Sequence, residues 1–526
     1  MDVEAPPRLR TDGAMNVRSA HTPSFDVAVV GLGPVGSTLA NLLGLCGVNT
    51  LVLEREAQAY HLPRAVHFDD EAMRVFQTIG LSDAVLPHVI LSPGMRFVDT
   101  DGRLMLDWPR PAEITPMGWH LSYRFHQPDL ENVLNDGLRR WPHVVVRNRC
   151  DVFAVDQDEH GVHVRYEDLS TGRLAETCVR YVVGCDGARS LVRRFMGSPM
   201  DDLGFHERWL VVDALLKCDR PDLGNHSIQF CNPKRPATYV RGTGNRRRWE
   251  ITVLPDEQTQ AVTQPEQIWQ LLAPWISPDD AEIERAAVYT FHSTIAKHWR
   301  NGRLFIAGDS AHQTPPFLGQ GMCAGIRDAA NLAWKLHAVL RGGAEAGLLD
   351  SYENERSPHV REFIELAIRL GGLINTKAME AGLATGQPRD NAAAKLDVQK
   401  PLLGPGLAAG HMALAGRPAP QFFLPDGRRS DDHVGYRYCL FADSNFLAGL
   451  SQGARTTLIN ADITVIRSGE AAGLDQWLLQ QDVQAVMVRP DRYVLGAARS
   501  ENDFAALLAA VQSPAVTPMT AESSLA

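Results

Sequence analysis

The segment Gly31-Leu32-Gly33-Pro34-Val35-Gly36 constrains this chain more than any other feature. It follows directly on Val27 to Val30, a short apolar run behind Asp26 that reads as a buried parallel strand. After it, Leu39, Leu42, Leu43 and Cys46 recur at helical spacing until Gly47 supplies a stop. A second strand, Thr50 to Leu53, ends in Glu54, 18 residues past Gly36. Strand, glycine turn, helix and strand form a right-handed βαβ unit. Gly31 permits the tight turn, and Gly33 lets a pyrophosphate approach the backbone. Gly36 lets the helix lie close on the strand, while Pro34 and Val35 open a helix whose N-terminus faces the phosphates. Glu54, with Arg55 behind it, is placed to accept hydrogen bonds from ribose hydroxyls. By itself this unit fits FAD or NAD.

Two further apolar strands end in a glycine–acid pair. One is Tyr181-Val182-Val183-Gly184-Cys185-Asp186-Gly187, the other Leu304-Phe305-Ile306-Ala307-Gly308-Asp309. The second leads through Ala311-His312-Gln313-Thr314-Pro315-Pro316-Phe317-Leu318-Gly319-Gln320-Gly321-Met322 into a long helix. Ile326, Ala330, Ala333, Leu336 and Leu340 mark its apolar face. A Gly-Gln-Gly turn opening such a helix offers unpaired N–H groups and a positive dipole end, which suit an anionic ring edge.

The remainder sets out the domains. At 526 residues the chain exceeds one ordinary core. Between Asp201 and about Thr290, short alternating segments (Trp209 to Leu215, Ser227 to Cys231, Arg248 to Val253) predict an antiparallel sheet. Thr376 to Gly416 is rich in Gly, Ala and Pro and reads as a linker. Arg417 to about Val511 reads as a small α/β unit, with strands at Thr457 to Ile459 and Val483 to Val488 and a helix near Asp503 to Val511.

Charge and cysteine usage narrow the function classes. A formal net charge of -10 gives no basic field for nucleic acid. The single basic run, Arg246-Arg247-Arg248, reads as a solvated hairpin. The 8 cysteines show no CxxC and no metal spacing with histidine, so they read as reduced thiols, and no metal is expected. No apolar run approaches the roughly 18 residues of a membrane span. The first two dozen residues lack a signal peptide's apolar core, so the cytoplasm is the expected location.

Taken in order, these motifs resemble those of the class A flavoprotein aromatic hydroxylases, the group containing para-hydroxybenzoate hydroxylase and phenol hydroxylase. Within it, the chain is most similar to 3-(3-hydroxyphenyl)propionate hydroxylases. The likeness spans roughly Phe25 to Leu370. It implies an α/β fold in which a Rossmann-like FAD-binding domain is interleaved with an antiparallel-sheet substrate domain (para-hydroxybenzoate hydroxylase-like). The segment Val486-Met487-Val488-Arg489-Pro490-Asp491-Arg492-Tyr493-Val494 adds a likeness to a C-terminal thioredoxin-like domain without CxxC, suited to a structural or oligomerisation role, with a homodimer allowed. The expected layout is a disordered extension (1–24) and a first FAD-binding part (25–200) with a substrate-domain insertion around 92–125. The antiparallel sheet (201–290), the second FAD-binding part with long helices (291–375), the linker (376–416) and the C-terminal domain (417–520) follow.

The resemblance also implies roles. Gly31, Gly33, Gly36 and Glu54 match the ADP-binding fingerprint, and Arg64, in Pro63-Arg64-Ala65, an arginine lying along the cofactor. Gln127 matches a glutamine that contacts FAD, and Asp186-Gly187 a pair serving both FAD and NAD(P)H. Gly308-Asp309 brings an aspartate to the ribityl chain. Pro315, Gly319, Gln320, Gly321 and Met322 match the loop under the isoalloxazine. The implied reaction has NAD(P)H reduce FAD, O₂ add at the flavin C4a as a hydroperoxide, and one oxygen pass to a small phenolic ring such as a hydroxyphenylpropionate. Hydroxylation of a larger polycyclic polyketide on the same scaffold, and a non-catalytic flavin-binding protein, stay open as alternatives. So does NADH against NADPH, since no second GxGxxG exists to read.

Phenol activation calls for a base. His67, where many relatives have glycine, is one candidate, and Asp70, which with Asp69 opens a helix, is another. Arg241 and Tyr239 are candidates for holding a substrate carboxylate. His312 fits either a proton relay or a structural role in its loop.

Overall fold

A computed structural model describes residues 23–58, 64–374, 394–395, 400–461 and 463–512. The expected N-terminal extension as far as residue 22, residues 59–63, 375–393 and 396–399 (the last two stretches taking in more than half of the expected linker, 376–416), residue 462 and the residues after 512 lie outside the described residues.

Strand β1 (Phe25–Val30) forms because its four central-to-terminal residues, Val27 to Val30, are apolar and buried on both faces. It pairs in parallel with β2 (Thr50–Leu53) on one side and with the strand Arg173–Gly184 on the other. Leu304–Ile306 extends this sheet in parallel beyond Arg173–Gly184, and Val144–Arg147 beyond β2. All three acid-bearing strand ends, at Glu54, Asp186 and Asp309, therefore open at one edge, the place where an α/β sheet binds ligands. Helix α1 (Pro34–Leu45) packs so tightly on the turn that a Cβ on Gly36 would stand 2.0 Å from the Gly31 carbonyl oxygen.

A second sheet, of 9 strands among the described residues, covers that edge. Its long strands Met200–Leu216 and Ala281–Ala296 are joined by Arg246–Thr252, Ala237–Arg241 and Ser227–Phe230. Gly94–Val98 and Leu104–Pro109, from the expected insertion, complete the same sheet. Period-two alternation divides its faces. Leu210, Val212, Tyr239, Trp249 and Ile251 pack on Ile268 and Leu272 of the helix Pro265–Leu272. Val211, Arg248, Glu250, Arg285 and Tyr289 face the nucleotide domain. The basic run is therefore not a solvated hairpin. It lies in a strand hydrogen-bonded on both sides, and Arg247 and Arg248 are buried.

Between the two sheets run β3 (His67–Asp69) and α2 (Asp70–Thr78), capped by Asp69, whose carboxylate accepts from the Ala72 N–H at 3.1 Å.

The C-terminal unit holds a sheet in the order Thr464–Arg467, Cys439–Ala442, Ala485–Val488, Val494–Ala498, parallel in the first pair and antiparallel in the others. The expected strand at Thr457 to Ile459 is instead part of the helix Gln452–Asn460. β-Branched residues there suggested a strand, but Ser451 caps the helix at the Ala454 N–H, and Leu458 packs into the core around Leu507. The unit docks through buried ion pairs. Arg489 donates to both Glu355 carboxylate oxygens at 2.8 Å, and Arg74 Nε donates to Asp431 at 2.6 Å.

Candidate functional site

A cleft of about 1920 Å³ runs from the acid-bearing strand ends to the inner face of the antiparallel sheet. At its nucleotide end Gly31, with φ +98°, has no room for a side chain, since a Cβ would stand 2.4 Å from the Cys185 carbonyl oxygen. A Cβ on Gly33 would meet nothing within 4 Å, so the backbone there borders open space, as a pyrophosphate requires. The Glu54 carboxylate accepts from the Leu32 N–H at 2.6 Å and the Glu56 N–H at 2.8 Å, which locks the glycine turn to the end of β2. Pro34 and Arg55 complete this end.

In the middle, Gln127 sets the backbone that carries Arg64. Its Oε1 accepts from the Arg64 and Ala65 N–H groups at 2.8 and 2.7 Å, and its Nε2 donates to Glu131 at 2.6 Å. Asp186 caps the helix Leu191–Met196 and accepts from Ser310 Oγ at 3.0 Å, tying two strand ends together beside Gly187. Asp309 points into the cleft. Enclosure by protein raises its carboxyl above the ordinary range, while His312 and Arg64 oppose that shift. Val35, Gly36 and Gly308 sit behind the wall and set its shape: a Cβ on Gly308 would come within 2.9 Å of Val35.

At the far end Gly319, Gln320, Gly321 and Met322 form the wall, and Gly321 begins the helix Gly321–Leu340. Pro316, next to Pro315, lines it. Gly319 has φ +63°, and His67 fills the space beside it: its Nδ1 lies 3.3 Å from the Gly319 carbonyl and its Nε2 2.8 Å from Ser122 Oγ. Burial, reinforced by Arg110, lowers the His67 pKa to about 4, so the ring is neutral and both nitrogens are engaged. His312 lies outside this wall. It is buried, stacks on Trp299 and hydrogen-bonds Asp328 at 2.7 Å.

Three candidate residues stand apart from the cleft. Asp70 faces the C-terminal side, where Lys400 donates to it at 2.6 Å and Thr115 at 2.8 Å. Asp69, Asp70 and Glu71 lie close enough to gather a cation, and the cations they gather are Arg327 and Lys400. Tyr239 pairs with Trp249 and packs against its ring in the core on the sheet's other face. Arg241 shares that parity, pairs with Arg247 and hydrogen-bonds Asn225. The residues that do face the cleft, Arg248, Glu250, Arg285 and Tyr289, were missed. The signal was available in the alternation Arg248-Trp249-Glu250-Ile251, whose polar members must share the face opposite the tryptophan.

The cleft fits FAD: a bare glycine wall at a helix start, carboxylates at Glu54 and Asp309, and a Gly-Gln-Gly loop stand in the order that an extended dinucleotide needs. The sequence matches the FAD binding domain family over residues 24–367. A protein named "Probable NADH-specific resorcinol 4-hydroxylase", from Rhodococcus jostii (strain RHA1), is 39% identical over 505 residues, 92% of this chain and 94% of that one. A 3-(3-hydroxy-phenyl)propionate/3-hydroxycinnamic acid hydroxylase 2 of Burkholderia vietnamiensis (strain G4 / LMG 22486) is 40% identical over 350 residues, 66% of this chain and 63% of that one. The fold matches that of the flavin-dependent monooxygenase PieE, solved with FAD and substrate, with a TM-score of 0.76 at 22% identity over 93% of this chain and 99% of that one. The chain belongs to the FAD binding domain family and is an FAD-dependent aromatic hydroxylase.

Proposed function

We propose that this chain hydroxylates a small monocyclic phenol of the resorcinol or hydroxyphenylpropionate kind, using NADH and O₂. Its full-length similarity to the protein named as a resorcinol hydroxylase carries this reading. Bound FAD supplies hydride acceptance from the nicotinamide and activation of O₂. The chain's own residues then have separable tasks. Glu54 and the glycine turn hold the nucleotide end. Asp309 and the Gln127-supported Arg64 hold the middle. His67 keeps the Gly319 loop in place as a positioning residue. The antiparallel sheet closes the cleft over the ring, which excludes water and holds the substrate near the reacting atoms.

The C-terminal unit is best read as a thioredoxin-like domain with a structural role, since its docking is by buried ion pairs and its one cysteine, Cys439, is buried. The domain limits given above and a cytoplasmic location are part of the same reading. Among the described residues no helix is long and apolar enough to cross a membrane.

The test is NADH oxidation and oxygen uptake by the purified yellow protein across monocyclic phenols. Strong stimulation by one of them, with hydroxylated product, is expected. A yellow protein that no monocyclic phenol stimulates overturns the substrate assignment in favour of a polycyclic aromatic.

A further inference from the structure

Among the described residues the antiparallel sheet contributes one acid to the cleft wall, Glu250. Its strand, Arg246–Thr252, sets it opposite Val211 on one side and Thr238 on the other, so no charged group faces it across either pairing. Along its own strand, Arg248 Nη1 lies 3.8 Å from Glu250 Oε1. Arg248 is committed elsewhere by shorter bonds, to Asp213 at 2.7 and 3.1 Å and to the Arg64 carbonyl at 2.7 Å. Arg285, from Ala281–Ala296, lies 3.6 Å from Asp213 and stacks over the Tyr289 ring in the same wall. The Glu250 carboxylate is thus enclosed, only 13% exposed, beside the Arg248 guanidinium, whose shorter ion pair is to Asp213.

The other acids lining the cleft are paired or stand at its nucleotide end: Glu56 pairs with Arg55, Asp136 with Arg139, and Asp151 follows Cys150, whose N–H donates to the Glu54 carbonyl at 2.8 Å. Glu54 and Asp186 accept backbone N–H groups, Glu131 accepts from Gln127, and Asp309 stands at the strand end by the nucleotide. His67 has both ring nitrogens engaged.

We propose that Glu250 is the base that takes the phenolic proton of the substrate, with Arg248 supplying positive field for the oxygen left behind. In this step the phenol O–H bond breaks and the proton passes to a Glu250 carboxylate oxygen. The electron pair stays on the phenolate oxygen and is shared with the ortho and para carbons of the ring. NADH and O₂ enter only in the established reaction, so the proton transfer needs no further reagent. Burial pushes the Glu250 carboxyl above its usual range; Arg248 opposes the shift and Asp213 adds to it. A carboxylate of raised pKa is a stronger base toward a phenol, whose own pKa is about 10.

The assignment rests on the phenol reading above, and the experiment separates the two. Holoprotein of wild type, Glu250→Gln and Glu250→Asp is compared for FAD content, for phenol affinity read from flavin absorbance, and for product formed between pH 6 and 9. Expected for Glu250→Gln are unchanged FAD, affinity within about tenfold and product formation lowered about 100-fold at neutral pH. The lost rate should return as pH rises and with more acidic fluorinated phenols, because phenolate then comes from solution. Glu250→Asp should retain part of the rate. A Glu250→Gln protein as active as wild type, or one whose loss neither pH nor phenol acidity restores, overturns the assignment of Glu250 and leaves the substrate class standing. A wild-type protein that converts no monocyclic phenol overturns the functional reading, and this proposal with it.

Discussion

Tyr493, in the C-terminal unit, donates a hydrogen bond of 2.9 Å to Glu71 Oε2, joining residues 422 apart in sequence. The same oxygen accepts from Arg327 Nε at 2.9 Å, and Oε1 accepts from Lys400 Nζ at 2.8 Å. Arg327 Nη1 in turn donates to Gln320 Oε1 at 3.0 Å, in the loop that walls the cleft. Burial would raise the Glu71 carboxyl, but Arg327 and Lys400 outweigh it and hold the group well below its ordinary value. Two side chains, Glu71 and Arg327, thus connect Tyr493 of the C-terminal unit to the loop 319–322 of the cleft wall. Tyr493→Phe removes one hydrogen bond to a charged acceptor and should cost about 1.5–3 kcal/mol in urea unfolding. Glu71→Ala, which leaves buried cations uncompensated, should cost about 3–5 kcal/mol and also weaken FAD retention. Unchanged stability in both variants would show that the contact carries no energy.

FAD retention should depend on two of the cleft carboxylates, Glu54 and Asp309, for different reasons. Glu54→Ala frees the Leu32 and Glu56 N–H groups and loosens the glycine turn itself. Asp309→Ala leaves the fold's hydrogen bonds intact and removes only the carboxylate that faces the cleft. Both proteins should purify with little FAD, read as the ratio of visible to ultraviolet absorbance. Added FAD should refill Asp309→Ala more readily than Glu54→Ala. Fully yellow variants would remove both residues from the binding site.

His67→Ala should keep FAD and lose coupling. The ring fills the space against Gly319, where a Cβ would approach Nδ1 to 2.8 Å, so its removal leaves a void beside the loop. More NADH should then be oxidised per molecule of product, with the difference released as hydrogen peroxide. With a pKa near 4 the ring is neutral throughout the working range, so the pH profile should keep its shape. A profile that loses its acid limb in His67→Ala would make His67 the base instead.

The nucleotide half of this fold was legible because its determinants are local. A turn that needs positive φ at Gly31 and close packing at Gly36 leaves its mark in six consecutive residues. The substrate wall was less legible, because a side chain's face depends on strand parity. Reading Tyr239 and Arg241 as the inward pair placed both on the face that packs against the helix Pro265–Leu272, one residue out of register with Arg248 and Glu250. The role of Asp70 was hidden for another reason: its partner Lys400 lies 330 residues away, and no local pattern announces such a pairing. The helix at Gln452–Asn460 was missed because a capping serine and tertiary packing outweighed a β-branched run.

Acid should unfold this protein through its buried ion pairs. Asp328 is buried, which raises its carboxyl, but His312 and Arg356 outweigh burial and bring it from 3.8 to about 2. Asp69, Glu71, Glu355 and Asp431 are likewise held below their ordinary values by buried cations. A carboxylate whose folded pKa is depressed gives its full stabilisation above its unfolded pKa and loses it as pH falls toward the folded value. For Asp328 that window runs from 3.8 down to about 2, and its contribution is roughly 2 kcal/mol. Asp70, Glu250 and Asp309 act in the opposite sense, since their raised values penalise the fold at neutral pH and protonation relieves them. The depressed groups include the Glu355–Arg489 and Asp431–Arg74 pairs that dock the C-terminal unit, so their loss should dominate. Tm should stay level from pH 8 to about 5 and fall steeply below about 4. Asp328→Asn should lower Tm at neutral pH, with the gap to wild type closing as pH approaches 2. A gap that stays constant across the series would mean that the Asp328 carboxylate is not ionised in the folded protein.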